Sequence, residues 1–228
     1  MNARNLVIGV VVLALLGVGG FYAWTHYGPG AAPGVSDNPA LAGLPAPVDD
    51  PATKAQEGDM VLGDANAPIT FIEYSSLSCP HCARHHKNVL PEIKKQYIDT
   101  GKVKLVMRDF PLNGPAVQAS LLVHCVSPMA YWGMTDQLFA TQDQWVNENS
   151  AMILAGIAAA AGINGQDFQQ CLSDKAMKDK IIASAEQADK AFKVDSTPTF
   201  VVNGIVIKGE KTFEEFAKIF DALAPKAN

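Results

Sequence analysis

The stretch that ends in Cys79-Pro80-His81-Cys82 constrains the fold of this chain more than any other. The preceding residues, 69–74, form an apolar run rich in β-favouring side chains, and a short serine-rich turn separates them from the first cysteine. Beyond the second cysteine, apolar residues recur at helical spacing. The pattern therefore predicts a strand that leads through a turn into a helix, with Cys79 at the start of that helix.

This position has a chemical consequence for the first cysteine. The first backbone N–H groups of a helix have no intrahelical partner, and together with the helix dipole they lower a thiol pKa from about 8.5. Pro80 suits the first helical turn, and the His81 ring can donate to the Cys79 sulfur or carry charge near it. Lowering the pKa of the Cys79 thiol by roughly three units would favour reduction of the disulfide by about 4 kcal/mol, or about 90 mV. We therefore expect an oxidising Cys79–Cys82 pair.

Composition limits the remaining possibilities. The 228 residues suffice for one domain of ordinary size with appendages, and 48% hydrophobic with 18% charged residues is typical of a globular chain. A net charge of -5 provides no basic field for nucleic acid. The sequence contains no glycine-rich nucleotide motif, so we expect no soluble cofactor.

The N-terminus predicts a membrane segment. An uncharged run over residues 6–24 would span about 28 Å as a helix, close to the bilayer core of about 30 Å. Arg4 precedes this run, and Tyr22, Trp24 and Tyr27 cluster at its far end, so that the rest of the chain would lie outside the cytoplasm. We expect residues 1–27 to be an uncleaved signal anchor. A cleaved signal peptide and a buried core helix are the alternatives.

A flexible tether is expected next. Residues 28–58 are rich in Pro, Gly and Ala and hold few large apolar side chains, so they are predicted to form an extended linker without a core. The globular pattern begins at Asp59 and predicts a folded domain over residues 59–228.

Two motifs together resemble a known family. The Cys-Pro-His-Cys stretch after an apolar strand, and residues 196–204 with Thr197-Pro198 before a second strand, resemble the DsbA-type thiol–disulfide oxidoreductases of the thioredoxin superfamily. The resemblance covers roughly residues 59–224. It implies an α/β thioredoxin-like fold with a helical insertion at about residues 113–194.

The resemblance also implies roles for individual residues. Glu73 occupies the position of the family's buried acid, which would accept the proton of the buried Cys82; the alternative is a solvated strand residue. Pro198 would follow a cis peptide bond, face the cysteines and offer a substrate an extended edge for pairing. Thr197 departs from the apolar residue that some DsbA-type oxidases carry there, and isomerase relatives often carry Thr.

The remaining cysteines and two histidines have alternative interpretations. Cys125 and Cys171 fall in separate predicted helices, so in an oxidising compartment they are candidates for a structural disulfide; the alternative is two buried free thiols. His85 and His86 could add a metal ligand to the two thiols of the motif. Adjacent helical residues point about 100° apart and no second C-x-x-C follows, so we predict no metal site and expect solvated or locally paired histidines.

These features predict a membrane-tethered, periplasmic protein-disulfide oxidase that acts on reduced exported proteins as a monomer. Cys79 would be exposed and reactive, with Cys82 buried behind it. The resemblance implies reoxidation by a DsbB-like membrane quinone reductase. The alternatives are an isomerase or reductase on the same fold, a metal-binding assembly chaperone, and a scaffold whose C-x-x-C is vestigial.

Overall fold

The computed structural model describes residues 38–225. The predicted anchor of residues 1–27 and the first part of the predicted linker lie outside this range. Within residues 38–225, no helix combines the length and the apolar character needed to cross a lipid bilayer.

A five-stranded mixed sheet forms the centre of the domain. In spatial order its strands are β1 (Met60–Leu62), β3 (Val103–Asp109), β2 (Ile69–Ser75), β4 (Thr199–Val202) and β5 (Ile205–Lys208). The β2 and β3 strands are parallel, and every other pair is antiparallel. All seven residues of β2 are buried, as expected for a strand of mostly apolar, β-favouring side chains that is covered on both faces of the sheet.

Helices cover both faces of the sheet. After β2 come α1 (Pro80–Asn88), α2 (Leu90–Ile93) and a π-helical turn (Lys94–Ile98); α9 (Phe213–Leu223) ends the domain. Between β3 and β4 lie α3 (Gly114–Cys125), α4 (Tyr131–Ala140), α5 (Gln142–Trp145), α6 (Ser150–Ala160), α7 (Gly165–Ser173) and α8 (Lys175–Phe192). This confirms the expected thioredoxin-like sheet with an inserted helical region.

The helix boundaries follow from local chemistry. Thr212 and Glu215 form a reciprocal capping box at the start of α9, and Asn113 and Asp174 cap α3 and α8 through backbone N–H groups. The helix that begins after Cys79 is interrupted at Val89, because Pro91 has no N–H to donate to the Lys87 carbonyl.

The described part of the predicted tether packs on the domain. Leu41 and Ala52 are buried, and the Val48 N–H donates to the Gly204 carbonyl over 2.9 Å. Gly204, at φ +90° in the β4–β5 turn, could not carry a side chain, since a Cβ there would lie 2.7 Å from the Val48 oxygen. Composition suggested a free linker up to residue 58, but residues 38–58 gain their order from contacts with the sheet that composition does not encode.

A buried arginine fastens this segment to the sheet. Arg108 of β3 donates to the backbone oxygens of Ala52 over 2.7 Å and Lys54 over 2.9 Å, to Asp59 Oδ2 over 2.7 Å and to the Tyr74 hydroxyl over 3.0 Å. Removing the guanidinium would take this donor from the Ala52 and Lys54 carbonyls and the Tyr74 hydroxyl, and Asp59 would keep its bond from the Gln56 N–H but lose its charge partner.

Replacing this arginine should therefore destabilise the domain. We expect Arg108→Leu to lower the free energy of unfolding by about 3 kcal/mol or more, because it removes the charge partner of Asp59 and the donor to the Ala52 and Lys54 carbonyls. Urea unfolding measures the change. The exposed Lys190→Leu is the control, with an expected change within about 0.5 kcal/mol. Equal stability of the two variants would contradict this account of residues 38–58.

Candidate active site

The first cysteine of the motif lies where a helix begins. Cys79 is the residue immediately before α1, with extended backbone angles (φ -84°, ψ 121°), and Pro80 is the first helical residue. The Cys79 sulfur lies 3.3 Å from the Thr197 carbonyl oxygen, and the peptide bond between Thr197 and Pro198 is cis. The fold thus joins two segments that are 118 residues apart in sequence.

The surroundings of this sulfur favour the thiolate. The Cys82 thiol donates to it, and although partial burial opposes ionisation, the Thr197 hydroxyl and the backbone N–H groups of Cys82 and His81 also favour the anion. Together they lower the pKa of Cys79 to about 5. Burial raises the pKa of the Cys82 thiol far above its usual range, and the Cys79 sulfur and the Glu73 carboxylate add to that effect. One thiol is held ready as an anion and the other is held protonated.

Burial differs from expectation for the first cysteine. Cys82 is fully buried, as the sequence predicted, but only 3% of Cys79 is exposed, so the prediction of an exposed Cys79 was wrong. The cis-proline loop contacts the sulfur, and Gln142 of the helical insertion donates to the backbone oxygens of Leu77 over 2.7 Å and Cys79 over 3.0 Å. These distant segments cover the motif, and no local pattern reports them.

The histidine between the cysteines turns away from the sulfur. His81 Nδ1 lies 2.7 Å from Glu210 Oε2 and 2.6 Å from Arg84 Nη2, and Arg84 makes two further bonds of 2.9 Å to Glu210. Its ring was expected to act on Cys79, whereas the structure shows that its backbone N–H does so. No local signal in the sequence marks Glu210 as part of the site; it follows the hairpin whose Gly209 N–H donates to the Pro198 oxygen over 2.9 Å.

A buried ion pair lies on the sheet side of the cysteines. Glu73 is fully buried, and its Oε2 lies 3.0 Å from His86 Nε2 and 3.9 Å from His85 Nε2. Burial alone would raise the pKa of Glu73, but His86, His85 and the Ser75 hydroxyl outweigh it and lower that pKa to about 2. A solvated Glu73 is thereby excluded.

The two histidines differ in state. Burial lowers the pKa of His86, but the charges of Glu73 and Asp136 outweigh this and raise it to about 9. Burial among Phe71, Phe200 and Phe216 lowers the pKa of His85 to about 4. Both rings are buried, so neither is solvated. Within residues 38–225, no three His, Cys, Asp or Glu side chains form a group able to hold a metal ion.

The other two cysteines are joined to each other. A disulfide links Cys125 at the end of α3 to Cys171 in α7, with 5.9 Å between the two Cα atoms and 46 residues of separation. The bridge ties together two helices of the insertion. The alternative of two free thiols does not describe this structure.

An anionic sulfur at a helix start, a protonated thiol behind it and a cis-proline loop in contact with the first sulfur characterise a thiol–disulfide oxidoreductase. A family model described as Thioredoxin matches residues 55–222. The chain belongs to the thioredoxin family and is of the DsbA type within it.

Named relatives agree with this assignment. A putative protein-disulfide oxidoreductase of Rickettsia bellii is 36% identical over 154 residues, which are 67% of this chain and 60% of that protein. The similar protein of Rickettsia prowazekii is 34% identical over 67% of this chain and 57% of its own length. The chain thus spans about three fifths of these curated relatives. Disulfide bond formation protein D of Bacillus subtilis is 26% identical over 72% of this chain and 77% of its own length.

Solved structures show the same fold. Alpha-DsbA1 of Wolbachia pipientis has a TM-score of 0.70 and 34% identity, covering 75% of this chain and 92% of that one. Oxidised BdbD of Bacillus subtilis has a TM-score of 0.67 and 25% identity, covering 75% of this chain and 95% of that one.

Proposed function

We propose that this protein is a protein-disulfide oxidase that transfers the Cys79–Cys82 disulfide to reduced exported proteins. The observation that carries the proposal is the opposite environment of the two thiols. The pKa of Cys79 is lowered to about 5, whereas that of Cys82 is raised. A stabilised Cys79 thiolate favours the reduced pair, so the oxidised pair readily passes its disulfide to another protein.

The transfer takes two exchange steps. A substrate thiolate attacks the Cys79 sulfur, the Cys79–Cys82 bond breaks, and Cys82 leaves as a thiolate that takes up a proton. A second substrate thiolate then attacks the substrate sulfur of the mixed disulfide, and Cys79 leaves as a thiolate. The substrate loses two electrons and the cysteine pair gains them. A low pKa makes Cys79 the better leaving group in this second step.

Several residues around the sulfur would assist. The backbone on either side of Thr197-Pro198 would pair with the extended substrate, since it lies against the Cys79 sulfur. Glu73 would exchange the Cys82 proton, because its carboxylate is buried and close enough to raise the pKa of that thiol. The Cys125–Cys171 bridge would hold the insertion that covers the motif.

The cellular setting belongs to the same proposal. Residues 1–27 would anchor the protein in the bacterial inner membrane, with residues 59–228 in the periplasm; after signal cleavage the domain would be soluble there. A DsbB-like membrane quinone reductase would reoxidise the pair. The names of the relatives, protein-disulfide oxidoreductase and disulfide bond formation protein, support the disulfide chemistry that this setting would require.

The reduction potential tests the proposal most directly. Equilibration with glutathione buffers should give a reduction potential well above that of thioredoxin, whose value is about -270 mV. The oxidised protein should also convert a two-cysteine peptide to its disulfide stoichiometrically. A potential at or below that of thioredoxin would overturn the oxidase assignment.

An isomerase on the same fold is the second candidate, favoured by Thr197 before the cis proline. It predicts that the reduced protein restores activity to a scrambled disulfide substrate faster than the oxidised protein oxidises a reduced one. The opposite ratio of rates is expected for the oxidase.

A further inference from the structure

The Glu73–His86 pair is not among the groups that stabilise the Cys79 thiolate, and the role of His86 beside the proposed proton acceptor Glu73 is still to be explained. Glu73 Oε2 is bonded to His86 Nε2 over 3.0 Å, whereas Glu73 Oε1 is buried and has no hydrogen-bond partner among residues 38–225. An unpartnered carboxylate oxygen in a buried site destabilises the folded state. Such an oxygen is therefore a candidate for a functional role.

The imidazole connects this buried carboxylate to the surface. The His86 side chain is 2% exposed, and its Nδ1 lies 3.8 Å from Asp136 Oδ1, which is an ion-pair rather than a hydrogen-bond distance. The Asp136 side chain is 66% exposed. Both residues line a cavity of about 410 Å³ between α1, α2 and α4, and Phe139 packs on the imidazole with 4.2 Å between ring centroids.

The exchange reaction requires such a connection. Cys82 is fully buried, yet it must gain a proton when the disulfide opens and lose one when it closes again. The Cys79 side of the pair carries the partner protein during both events. A proton therefore needs a route that does not pass through the Cys79 surface.

We propose that Glu73, His86 and Asp136 form a proton path between the Cys82 thiol and solvent, through the cavity between α1 and α4. The inference deepens the proposed function and rests on it. Glu73 receives or returns the proton, whereas His86 and Asp136 act through Glu73 and are positioning residues.

The proton can be followed when the pair closes. Cys82 attacks the Cys79 sulfur of a mixed disulfide, its S–H proton passes to Glu73, and a bond forms between the two cysteine sulfurs. The bond from Cys79 to the partner sulfur breaks, and the partner leaves as a thiolate. The Glu73–His86 pair then loses one proton through His86 Nδ1 to Asp136 and water. Opening of the disulfide uses the same path in reverse.

The charge state of the pair suits this task. Burial on its own would keep Glu73 protonated and unable to accept a proton, but the imidazolium beside it holds the carboxylate ionised down to a pKa of about 2. The titratable and charged groups around His86 are Glu73 from β2, His85 from α1 and Asp136 from α4, with Lys87 and Lys94 at the cavity wall.

The test separates the two chemical steps with oxidised glutathione as the probe. The reduced full-length protein first forms a mixed disulfide at Cys79, and Cys82 then resolves it and releases glutathione. We expect His86→Gln to slow resolution at least about tenfold at neutral pH, in the range of lost general acid–base catalysis, without changing the first step. Its pH profile should shift upward, because an unpaired buried Glu73 loses its proton only at higher pH.

Two surface variants complete the experiment. Asp136→Asn should slow resolution about threefold with the same upward shift, since it removes the carboxylate at the solvent end of the path and the negative charge that favours the His86 imidazolium. Asp189→Asn, which changes another exposed aspartate on α8, should leave both steps unchanged. Because Asp136 is on the surface, its variant decides the matter if His86→Gln does not fold.

The experiment distinguishes failure of the proton path from failure of the proposed function. Resolution rates and pH profiles equal to wild type in both His86→Gln and Asp136→Asn would overturn the proton path while leaving the oxidase intact. A wild-type protein that forms no mixed disulfide with glutathione would overturn the proposed function, and the path with it.

Discussion

Cys79→Ser is expected to abolish disulfide transfer, lowering the rate of peptide oxidation by at least about 10³-fold. A serine hydroxyl cannot form a disulfide with Cys82. It also stays neutral at this position, whereas the pKa of the Cys79 thiol is lowered to about 5 there. The measurement is the rate at which the oxidised protein converts a two-cysteine peptide to its disulfide, compared with the uncatalysed reaction in the same buffer.

Cys82→Ser provides the matched control. It keeps the Cys79 thiolate but removes the thiol that resolves the mixed disulfide. When it is mixed with oxidised glutathione, Cys79 should attack that disulfide, release one glutathione and retain the other as a stable adduct that mass spectrometry detects. Transfer by Cys79→Ser at a substantial fraction of the wild-type rate would show that the exchange chemistry uses a different sulfur. An adduct on Cys79→Ser rather than Cys82→Ser would reverse the roles assigned to the two cysteines.

Removal of the second disulfide should have the largest effect on stability. The Cys125–Cys171 bridge closes a loop of 46 residues, so Cys125→Ala with Cys171→Ala should lower the free energy of unfolding by about 4 kcal/mol on the chain-entropy model. The reason is that the unfolded chain has a higher conformational entropy without the bridge, which stabilises the unfolded state. Urea unfolding of the oxidised wild type and the double variant measures the difference.

The single variants supply the control for this second prediction. Cys125→Ala and Cys171→Ala each break the same covalent link, so each should lose nearly the full amount and the two losses should not add. A double variant within about 1 kcal/mol of wild type would mean that the bridge does not constrain the unfolded chain.

The local part of the site could be predicted from the sequence. A β-favouring run, a turn, and a cysteine followed by proline specify a strand, a loop and a helix start within fifteen residues, because each signal acts on neighbouring backbone. The helices of the insertion between β3 and β4 could be predicted for the same reason, since helical spacing and capping residues such as Asn113 and Asp174 are local signals.

The contacts that tune the site could not be predicted in this way. Glu210 pairs with His81 across 129 residues, and Gln142 covers Cys79 across 63 residues, with no signal in either segment alone. The order of residues 38–58 depends likewise on Arg108, 56 residues beyond Ala52. The burial of His85 and His86 could have been suspected, because α1 packs on a sheet strand that carries Phe71 and Glu73 on the same face.

Titration of the reduced protein tests the central claim. The ultraviolet absorbance of the Cys79 thiolate should rise through a midpoint near 5 as the pH increases, because the groups around this sulfur lower its pKa to about 5. Cys82 should contribute no step in the same range, since its pKa is raised. Cys79→Ser should lose the transition. A midpoint near the ordinary thiol value of about 8.5 would contradict the account, because the thiolate would then have no special stability with which to drive disulfide transfer.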